Sequence, residues 1–265
     1  MLRLIKISIS KLIPRRMQVP VKYWYAHIRG YLEPEMKVLE NLISINDRII
    51  DVGANRGIYS YFFSKYSRNI EVFEPNPACS KLLESWSNQL DGIHVHNVAL
   101  SNKDGLASLL IPVDENGIEH DSSASIENND FQNTKTQEVS LRRLDEYLFQ
   151  DITFIKIDVE GHEFSVLQGA LNTIAEFKPS MLIEIEQRHN TIEISEIFNF
   201  IMNMDYTIFF LNMNKLHELS KFNIKAHQDT DNLNIESKYI NNFLCLCNEK
   251  LAHGKYASLD HLFDK

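Results

Sequence analysis

Acidic side chains lie at the ends of two predicted buried strands, where they could contact a nucleotide-like ligand. Asp51 opens the strand-to-helix turn DVGANRG (residues 51–57), and Glu74 follows 23 positions later at the end of the next strand. An acid at that distance is placed to accept hydrogen bonds from both ribose hydroxyls. Gly53 removes a side chain where the ligand must approach the backbone, and Gly57 allows tight passage into the helix. The two carboxylates together predict a nucleotide-binding site.

The spacing of the glycines in this turn indicates which kind of nucleotide ligand it could bind. Gly53 and Gly57 form G-x-x-x-G rather than the G-x-G-x-x-G fingerprint of dinucleotide sites. A carboxylate directly before the turn also suits a cationic ligand, such as a sulfonium with an amino-acid tail, better than a pyrophosphate. A nucleotide-dependent oxidoreductase is therefore the weaker alternative. A plain strand-to-helix turn is the alternative without any ligand.

Further candidates for ligand binding stand close to these positions. Asn55 lies in the turn itself and Asn76 follows the second strand. The third strand ends near Asn97, which could hydrogen-bond an adenine, and Ala99, which is small enough to leave room for one. Ordinary strand-end packing is the alternative for Asn97 and Ala99. We count all four among the predicted ligand-binding residues.

Charged residues close the fourth predicted strand, in FIKIDVEGHE (residues 154–163). Lys156, Asp158 and Glu160 share one parity and therefore one face of an extended chain. Asp158 stands where an acceptor molecule would approach, so we predict it as a general base. His162 is a second candidate, because an imidazole exchanges protons near neutral pH. Glu160 is expected to contact the amino group of the ligand or to orient the base.

A divalent metal is a less favoured interpretation of the same residues. Asp158 together with Glu184 or Glu186, from neighbouring strand ends, could hold Mg²⁺ through hard oxygen ligands. Such a metal would lower the pKa of an acceptor hydroxyl in place of a base. Glu184 could equally pair with Lys156.

The elements that must position these residues alternate along the chain. The strands are continuous apolar runs, as in strands that are covered on both faces. Their alternation with helices predicts an open, mostly parallel α/β sheet with helices on both faces, ending in an antiparallel pair. The predicted strands are 48–53, 69–74, 93–100, 106–113, 136–141, 153–159, 180–186, 206–211 and 242–247, and the helices are 58–66, 77–90, 162–177 and 192–204. The polar stretch 114–135 is long for a loop and is typical of a lid or a binding loop.

Several motifs together resemble a known family. They are DVGANRG, FEPNP, NVALSNKDG, the pair Leu144 and Asp145, KIDVEGHE, and Lys178 with Pro179 before LIEIE. In this order they resemble the FkbM family of S-adenosylmethionine-dependent methyltransferases, over residues 32–186. The resemblance implies a Rossmann-like class I methyltransferase fold with a seven-stranded sheet, S-adenosylmethionine as cofactor, and methylation of oxygen. Sugars, lipid-linked glycans and natural products are among the substrates that it implies.

The resulting expectation is methyl transfer to a hydroxyl of a sugar, a glycan or a glycolipid-like small molecule. One alternative is the oxidoreductase named above. Another is a catalytically inactive protein that keeps the fold and binds a glycan or a membrane. The intact set Asp51, Glu74 and Asp158 argues against the inactive alternative.

Charge and composition limit the partners. The chain of 265 residues carries a net charge of −9, which disfavours nucleic acid as a partner. Before Glu33 there are seven bases and no acid, so the first thirty residues carry +7 and the remainder −16. We therefore predict a basic lead-in (1–30) and one methyltransferase domain (31–265). The lead-in either packs on the domain or contacts a membrane surface through residues 1–16.

Cysteine content and hydropathy indicate a compartment. The chain has three cysteines, too few for a disulfide framework and in keeping with a reducing cytoplasm. No apolar run reaches the length of a membrane span. The expected location is cytoplasmic, with peripheral contact to the inner membrane face as the variant.

Overall fold

The structure is a computed structural model that describes residues 13–127, 133–232 and 238–264. Its strands, in chain order, are β1 (Arg48–Val52), β2 (Asn69–Phe73), β3 (Ile93–His96), β4 (Ala99–Leu100), β5 (Gly105–Pro112), β6 (Thr134–Arg142), β7 (Ile152–Ile157), β8 (Ser180–Glu184), β9 (Tyr206–Asn212), β10 (Lys215–Glu218) and β11 (Asn242–Cys247). Its α-helices are α1 (Arg15–Arg29), α2 (Glu35–Leu39), α3 (Ile58–Ser64), α4 (Pro77–Ser87), α5 (Glu163–Gly169), α6 (Leu171–Phe177), α7 (Ile194–Asn203), α8 (Ile224–His227) and α9 (Asn248–Ala252).

The main sheet has the order β10-β9-β11-β8-β7-β1-β2-β3. The neighbours from β3 to β8 pair in parallel, whereas β11 is antiparallel to both β8 and β9. This arrangement confirms the mostly parallel α/β sheet and the antiparallel pair at its end. The sheet has eight strands rather than seven, because β10 folds back on β9 through Met213 and Asn214. Both turn residues have positive φ, as a two-residue hairpin loop requires.

A second sheet of three strands, in the order β4-β6-β5, stands beside the main one. The two strands predicted on either side of the polar stretch are confirmed as β5 and β6, which pair antiparallel. The single strand predicted over 93–100 is wrong, since β3 pairs with β2 and β4 pairs with β6. The break has a physical cause at Asn97, whose Nδ2 donates to the carbonyl oxygens of Glu74 at 2.9 Å and Pro75 at 3.0 Å. These bonds end the β3 ladder and turn the chain towards the second sheet.

The helix predicted over 162–177 is two helices, α5 and α6. A new helix start forms after Ala170, because the Asp145 carboxylate accepts from the backbone N–H groups of Asn172 at 3.1 Å and Thr173 at 2.9 Å. The chain also contacts the backbone before β5 at this point, since a Cβ on Gly169 would lie 1.9 Å from the Ser101 carbonyl oxygen. Asp145 therefore accepts from N–H groups that a continuous helix would have paired internally.

The hydrophobic core lies on both faces of the main sheet. Successive residues of β1 point to opposite sides, so that Ile50 belongs to one apolar cluster and Ile49 to the other. Helix α1 covers the second cluster through Val19 and Tyr23 and packs against α3 and α4. The residues that end the parallel strands therefore stand on a rigid platform.

Residues 1–16 are the part of the basic lead-in for which packing on the domain and contact with a membrane are the two alternatives. Residues 1–12 of that range lie outside the described residues. From Arg15 the chain forms helix α1. In the part of the chain that the structure describes, no helix is long and apolar enough to cross a membrane.

Candidate functional site

A cavity of about 300 Å³ lies at the carboxyl ends of β1, β2 and β7. Parallel strands end at one edge of the sheet, which is where ligands bind in open α/β folds. Acidic side chains outnumber basic ones in its lining, and they come from strands of the main sheet and from loops, including the loop between β5 and β6. The acids are Glu33, Asp51, Glu74, Asp121, Asp158, Glu160 and Glu184, and the lysines and arginine are Lys22, Arg56 and Lys156.

Asp51 is the most deeply buried of these acids, with no exposed surface. Its Oδ2 accepts a hydrogen bond from Ser60 Oγ at 2.6 Å, while its Oδ1 has no hydrogen-bond partner among the described residues. Burial raises the pKa of Asp51, and the nearby Lys156 opposes that shift. One carboxylate oxygen is thus left for a donor that enters the cavity.

Gly53 brings the β1 turn against the end of β7. Its φ of 78° lies in the left-handed region, and its N–H donates to the Phe73 carbonyl at 2.9 Å. A Cβ at this position would lie 1.8 Å from the carbonyl oxygen of Asp158. Only glycine fits between the two strand ends, so the turn and Asp158 are fixed relative to each other.

Glu74 is held by two backbone donors on the neighbouring turns. The Asn55 N–H donates to its Oε2 at 2.6 Å and the Asn76 N–H to its Oε1 at 2.7 Å. Burial raises the pKa of Glu74 to about 7 despite these two bonds. Each oxygen keeps a second lone pair for donors from the cavity.

The other predicted binding residues fall into two groups. Asn55 and Ala99 line the cavity. Asn76 instead caps α4, where its Oδ1 accepts from the Ala78 N–H at 3.0 Å. Asn97 holds the carbonyl oxygens of the Glu74 turn, as described above. Neither Asn76 nor Asn97 is among the lining residues. Both instead form hydrogen bonds with the backbone around the Glu74 turn, which lines the cavity.

Residues 114–127, here called the lid, close the cavity from the second sheet. At one end the Asp121 carboxylate accepts from Arg56, with Nε–Oδ2 at 2.8 Å, and from Asn76 Nδ2 at 3.0 Å. The Asp121 carbonyl also accepts from Asn55 Nδ2 at 2.9 Å. The lid is therefore hydrogen-bonded to both turns that carry the predicted ligand-binding residues.

The other end of the lid is fixed to the turn after β7. Ser125 Oγ donates to the Glu160 carbonyl at 2.7 Å, and Glu127 Oε1 lies 2.5 Å from His162 Nδ1. The hydrogen bond with His162 holds the pKa of Glu127 below its usual value. The predicted polar stretch continues over 128–132, which lie outside the described residues.

A buried ion pair stands under Asp158. Lys156 Nζ is 2.8 Å from Asp158 Oδ2, and the lysine side chain is 3% exposed. Burial by itself lowers the pKa of Lys156, but the charges of Asp158, Asp51 and Glu33 outweigh it and hold the lysine protonated. The ammonium also lies 4.5 Å from the ring centre of Tyr59. Lys156 thus orients Asp158 and balances part of the negative charge of the cavity.

His162 has both ring nitrogens engaged. Nδ1 faces Glu127, and Nε2 lies 2.9 Å from Ser101 Oγ. The residue is 9% exposed, whereas the Asp158 side chain is 27% exposed. Both predicted proton acceptors line the cavity, and Asp158 has the more exposed side chain of the two.

Glu160 and Glu184 complete the wall beyond Asp158. Glu160 has a positive φ of 53°, and its Oε2 lies 2.8 Å from His189 Nδ1. Glu184 Oε1 accepts from Asn241 Nδ2 at 2.6 Å. Burial, with the charge of Asp158 next, raises the pKa of Glu184 well above its usual value.

The metal alternative needs a group of ligands around one point. Asp158 and Glu184 do line the same cavity. Across the described ranges, no group of three or more His, Cys, Asp or Glu residues is arranged to hold a metal ion. Glu186, also considered for this role, is instead bound by Arg188, with Nε–Oε2 at 2.5 Å.

Several site residues did not emerge from the sequence. Asp121, Ser125 and Glu127 lie in the polar stretch, which has no periodicity to distinguish one residue from the next. Their partners are remote, such as Asn55, which is 66 positions from Asp121. The sequence does hold a signal for Ser60, which lies nine positions after Asp51. It belongs to the first turn of α3, and the start of a helix that follows a strand lies close to the end of that strand.

The chain is similar to known methyltransferases in sequence pattern and in fold. Residues 51–247 match the methyltransferase FkbM domain among protein-family profiles. A search of the curated proteins found no match.

Solved structures show distant similarity. A methyltransferase FkbM from Methylobacillus flagellatus has 15% identity and a TM-score of 0.49 and is matched over 88% of this chain and 55% of its own. This chain thus spans about half the length of that protein. An rRNA methylase from Streptococcus thermophilus has 10% identity, a TM-score of 0.42 and coverage of 80% and 91%. A Streptococcus mutans protein described as a methyltransferase, in complex with SAH, has 10% identity, a TM-score of 0.43 and coverage of 80% and 93%.

The family match covers both strand-end acids, the lid and the KIDVEG segment, and it runs to the last strand of the sheet. It extends over well more than half of the chain. The chain therefore belongs to the FkbM methyltransferase domain family.

Proposed function

We propose that the protein is an S-adenosylmethionine-dependent O-methyltransferase that acts on a hydroxyl of a sugar, a glycan or a glycolipid-like small molecule. The observation that carries the proposal is the pair Asp51 and Glu74, on adjacent strand ends in one cavity with Gly53 held against Asp158. This arrangement offers one carboxylate to a cation and another to a ribose, next to a third that an acceptor can reach.

The residues fit the proposed cofactor on the evidence of their own contacts. Asp51 Oδ1 is buried and has no partner among the described residues, so it suits the amino group of the cofactor. Glu74 would accept from the ribose hydroxyls, and Ala99 leaves space beside the adenine. When bound, S-adenosylmethionine supplies a methyl group on a positively charged sulfur, which the acidic cavity favours.

Asp158 is proposed as the group that orients and deprotonates the acceptor hydroxyl. Methyl transfer is an in-line displacement, so its rate depends on alignment of the reacting atoms. A general base typically contributes about 10²–10⁴-fold. Lys156 fixes one oxygen of Asp158, and the other oxygen is the one that can take the proton.

The remaining carboxylates favour an acceptor with several hydroxyl groups. Glu33, Glu160 and Glu184 line the same cavity as Asp158. Carboxylates accept hydrogen bonds and donate none while they are ionised, so they pair well with sugar hydroxyls. A nucleic acid would bring many phosphates to this acidic wall, and the net charge of −9 disfavours it as well.

The first experiment is calorimetric titration of S-adenosylmethionine and S-adenosylhomocysteine into wild type, Glu74→Gln and Glu71→Gln. Titration above pH 7 keeps Glu74 ionised, since its pKa is about 7. We expect Glu74→Gln to weaken binding at least about tenfold, or about 1.4 kcal/mol, because an amide replaces one acceptor. Glu71→Gln is the matched control, since Glu71 is a buried acid of β2, the strand directly before Glu74, and pairs with Arg48 outside the cavity.

The second step is transfer of an isotope-labelled methyl group from S-adenosylmethionine to sugars, nucleotide sugars and extracted glycolipids. Appearance of the label as a methyl ether would support the proposed acceptor class. Label on nitrogen or carbon would contradict it while leaving the cofactor proposal intact. Binding of NAD in place of S-adenosylmethionine would instead favour the oxidoreductase alternative.

A further inference from the structure

Helix α1 has two apolar faces. Its inner face is buried against the domain through Val19, Tyr23 and Ala26. On the opposite face, large apolar side chains recur every three or four residues and are exposed, so they form one stripe along the helix. This outer stripe consists of Met17, Val21, Trp24, Tyr25 and Ile28, and Tyr31 follows directly after the helix.

The outer stripe concentrates the apolar surface of the molecule in one place. Thirteen large hydrophobic side chains are exposed in the described ranges, and six of them lie within residues 17–31. Single exposed hydrophobic residues are ordinary, whereas a contiguous patch marks an interaction surface. The stripe therefore indicates a partner that offers an apolar environment.

Basic residues border the stripe. Arg15 and Arg29 are exposed and stand fourteen residues apart, so they lie on the same edge of the helix. Next to the stripe, Lys65 Nζ lies 5.5 Å from the Trp24 ring centre. No acid precedes Glu33 in the chain. The helix thus presents apolar and positive groups together, without negative charge of its own.

The uneven charge of the molecule would orient the protein on an anionic surface. Residues 15–29 carry four bases and no acid, whereas residues 31–265 carry a net charge of −16. An anionic surface would attract the α1 side of the molecule and repel the other. Tryptophan and tyrosine on the stripe add side chains that favour the boundary between headgroups and acyl chains.

We propose that helix α1 docks on an anionic membrane surface, with the outer stripe in the bilayer interface and the basic edge at the headgroups. Interfacial helices combine these features: an apolar stripe with aromatic residues, and lysine or arginine beside it. Lys22 and Tyr31 also line the cavity, so docking brings the mouth of the cavity close to the membrane. A lipid-attached acceptor then follows, a step that rests on the proposed methyltransferase function, whereas docking itself does not.

The two tryptophans allow a direct test. Trp24 is 46% exposed on the stripe, and Trp86 is 4% exposed in the core. In a Trp86→Phe background, vesicles of phosphatidylcholine with phosphatidylglycerol are expected to shift Trp24 emission to the blue and to protect it from a water-soluble quencher. Vesicles of phosphatidylcholine alone are expected to do much less. If Trp86→Phe fails to fold, the change in quenching of wild type on addition of vesicles gives the same readout.

A matched pair of variants separates the stripe from general effects of charge. Ile28→Glu adds a carboxylate to the stripe, and Met213→Glu adds one at an equally exposed position, since both residues are 79% exposed. We expect Ile28→Glu to lower the partition coefficient on anionic vesicles about tenfold and Met213→Glu to change it little. Equal melting temperatures and equal S-adenosylmethionine affinity would show that both variants keep the fold.

Three results would overturn the proposal. One is the absence of wild-type partitioning into anionic vesicles at low salt. Another is equal partitioning of the Ile28→Glu and Met213→Glu variants. The third is a blue shift that depends on protein concentration without vesicles, which would assign the stripe to contact between two copies of the chain. Because no assay here needs methyl transfer, failure of docking is distinguishable from failure of the proposed function.

Discussion

The buried carboxylates of the cavity destabilise the folded protein when they are ionised, and the cations that line the cavity offset only part of this free-energy cost. Burial raises the pKa of Glu33 and Glu184, and that of Glu74 to about 7. Lys156 is the one fully buried cation that faces them among the lining residues. Unpaired buried charges are unfavourable, so part of this acidity is held as protons until a ligand supplies positive charge or hydroxyl donors. The residue pattern therefore fits a site built for a cationic cofactor.

Gly53→Ala tests the contact between the two strand ends. We expect a loss of S-adenosylmethionine binding and a marked loss of stability, because the new methyl group would lie 1.8 Å from the Asp158 carbonyl oxygen. The left-handed φ adds about 1–2 kcal/mol for any residue with a Cβ. Thermal unfolding and calorimetric titration measure the two effects.

Gly254→Ala is the control for that prediction. Gly254 has a similar φ of 66°, but a Cβ there would have nothing within 4 Å. It should show the backbone cost alone, about 1–2 kcal/mol, with unchanged cofactor affinity. Equal destabilisation and equal binding in the two variants would refute the clash.

Among the elements, the second sheet carries the lid, the segment that contacts the turns on both sides of the cavity. Strands β5 and β6 pair with each other in the second sheet and are joined by the segment that contains the lid. The lid joins the β1 and β2 turns at Asp121 to the β7 turn at Ser125 and Glu127. The lid lines one side of the cavity, so opening of either end is expected to speed the dissociation of a bound ligand.

Asp121→Asn weakens one end of the lid without removing atoms. The amide would face the Arg56 guanidinium or the Asn76 amide with a donor in place of an acceptor. We expect S-adenosylmethionine to dissociate faster and its Kd to rise about tenfold, or about 1.4 kcal/mol. Stopped-flow fluorescence gives the rate and calorimetry the Kd.

Glu119→Gln makes the same chemical change in the same lid. Glu119 pairs with Lys135 on the surface, 2.7 Å apart, and not with the cavity turns. Its cofactor kinetics should stay close to those of wild type. A similar loss in both variants would mean that lid charge, rather than the Asp121 contacts, controls binding.

Over the whole molecule, buried acids make stability depend on pH. Burial raises the pKa of Glu163 from 4.5 to about 7, with the carboxylate bonded to the Gly161 N–H at 2.9 Å. Between these two values the folded state holds a proton that the unfolded state has lost. Stability from this group is therefore full below pH 4.5 and is lost as the pH rises towards 7.

Glu163→Gln should remove that dependence. The variant is expected to gain stability over wild type as the pH rises from 4.5 to 7, with a plateau above. The gain should be about 3–4 kcal/mol, from about 1.4 kcal/mol for each pKa unit between 4.5 and 7. Denaturant unfolding across this range measures it. Glu138→Gln, at an exposed glutamate of β6, should show no such trend, and a gain that falls with rising pH would contradict the argument.

The sequence by itself determined the strand ends and their chemistry. Asp51 is the next-to-last residue of β1, and Glu74 and Asp158 directly follow β2 and β7; parallel strands bring such positions to one edge of a sheet. That local pattern predicted the fold class, the cavity and the family. It was also enough to place Lys156 on the same face as Asp158, where the two form an ion pair.

Only the tertiary structure decided what surrounds those strand ends. The second sheet, the Asp121 contacts and the engagement of both His162 nitrogens join residues 35 to 66 positions apart in loops without periodicity. The outer stripe of α1 became visible only when burial of Val19, Tyr23 and Ala26 showed which face the domain covers. Local patterns record the period of an element, whereas contacts between loops depend on where the folded elements carry them.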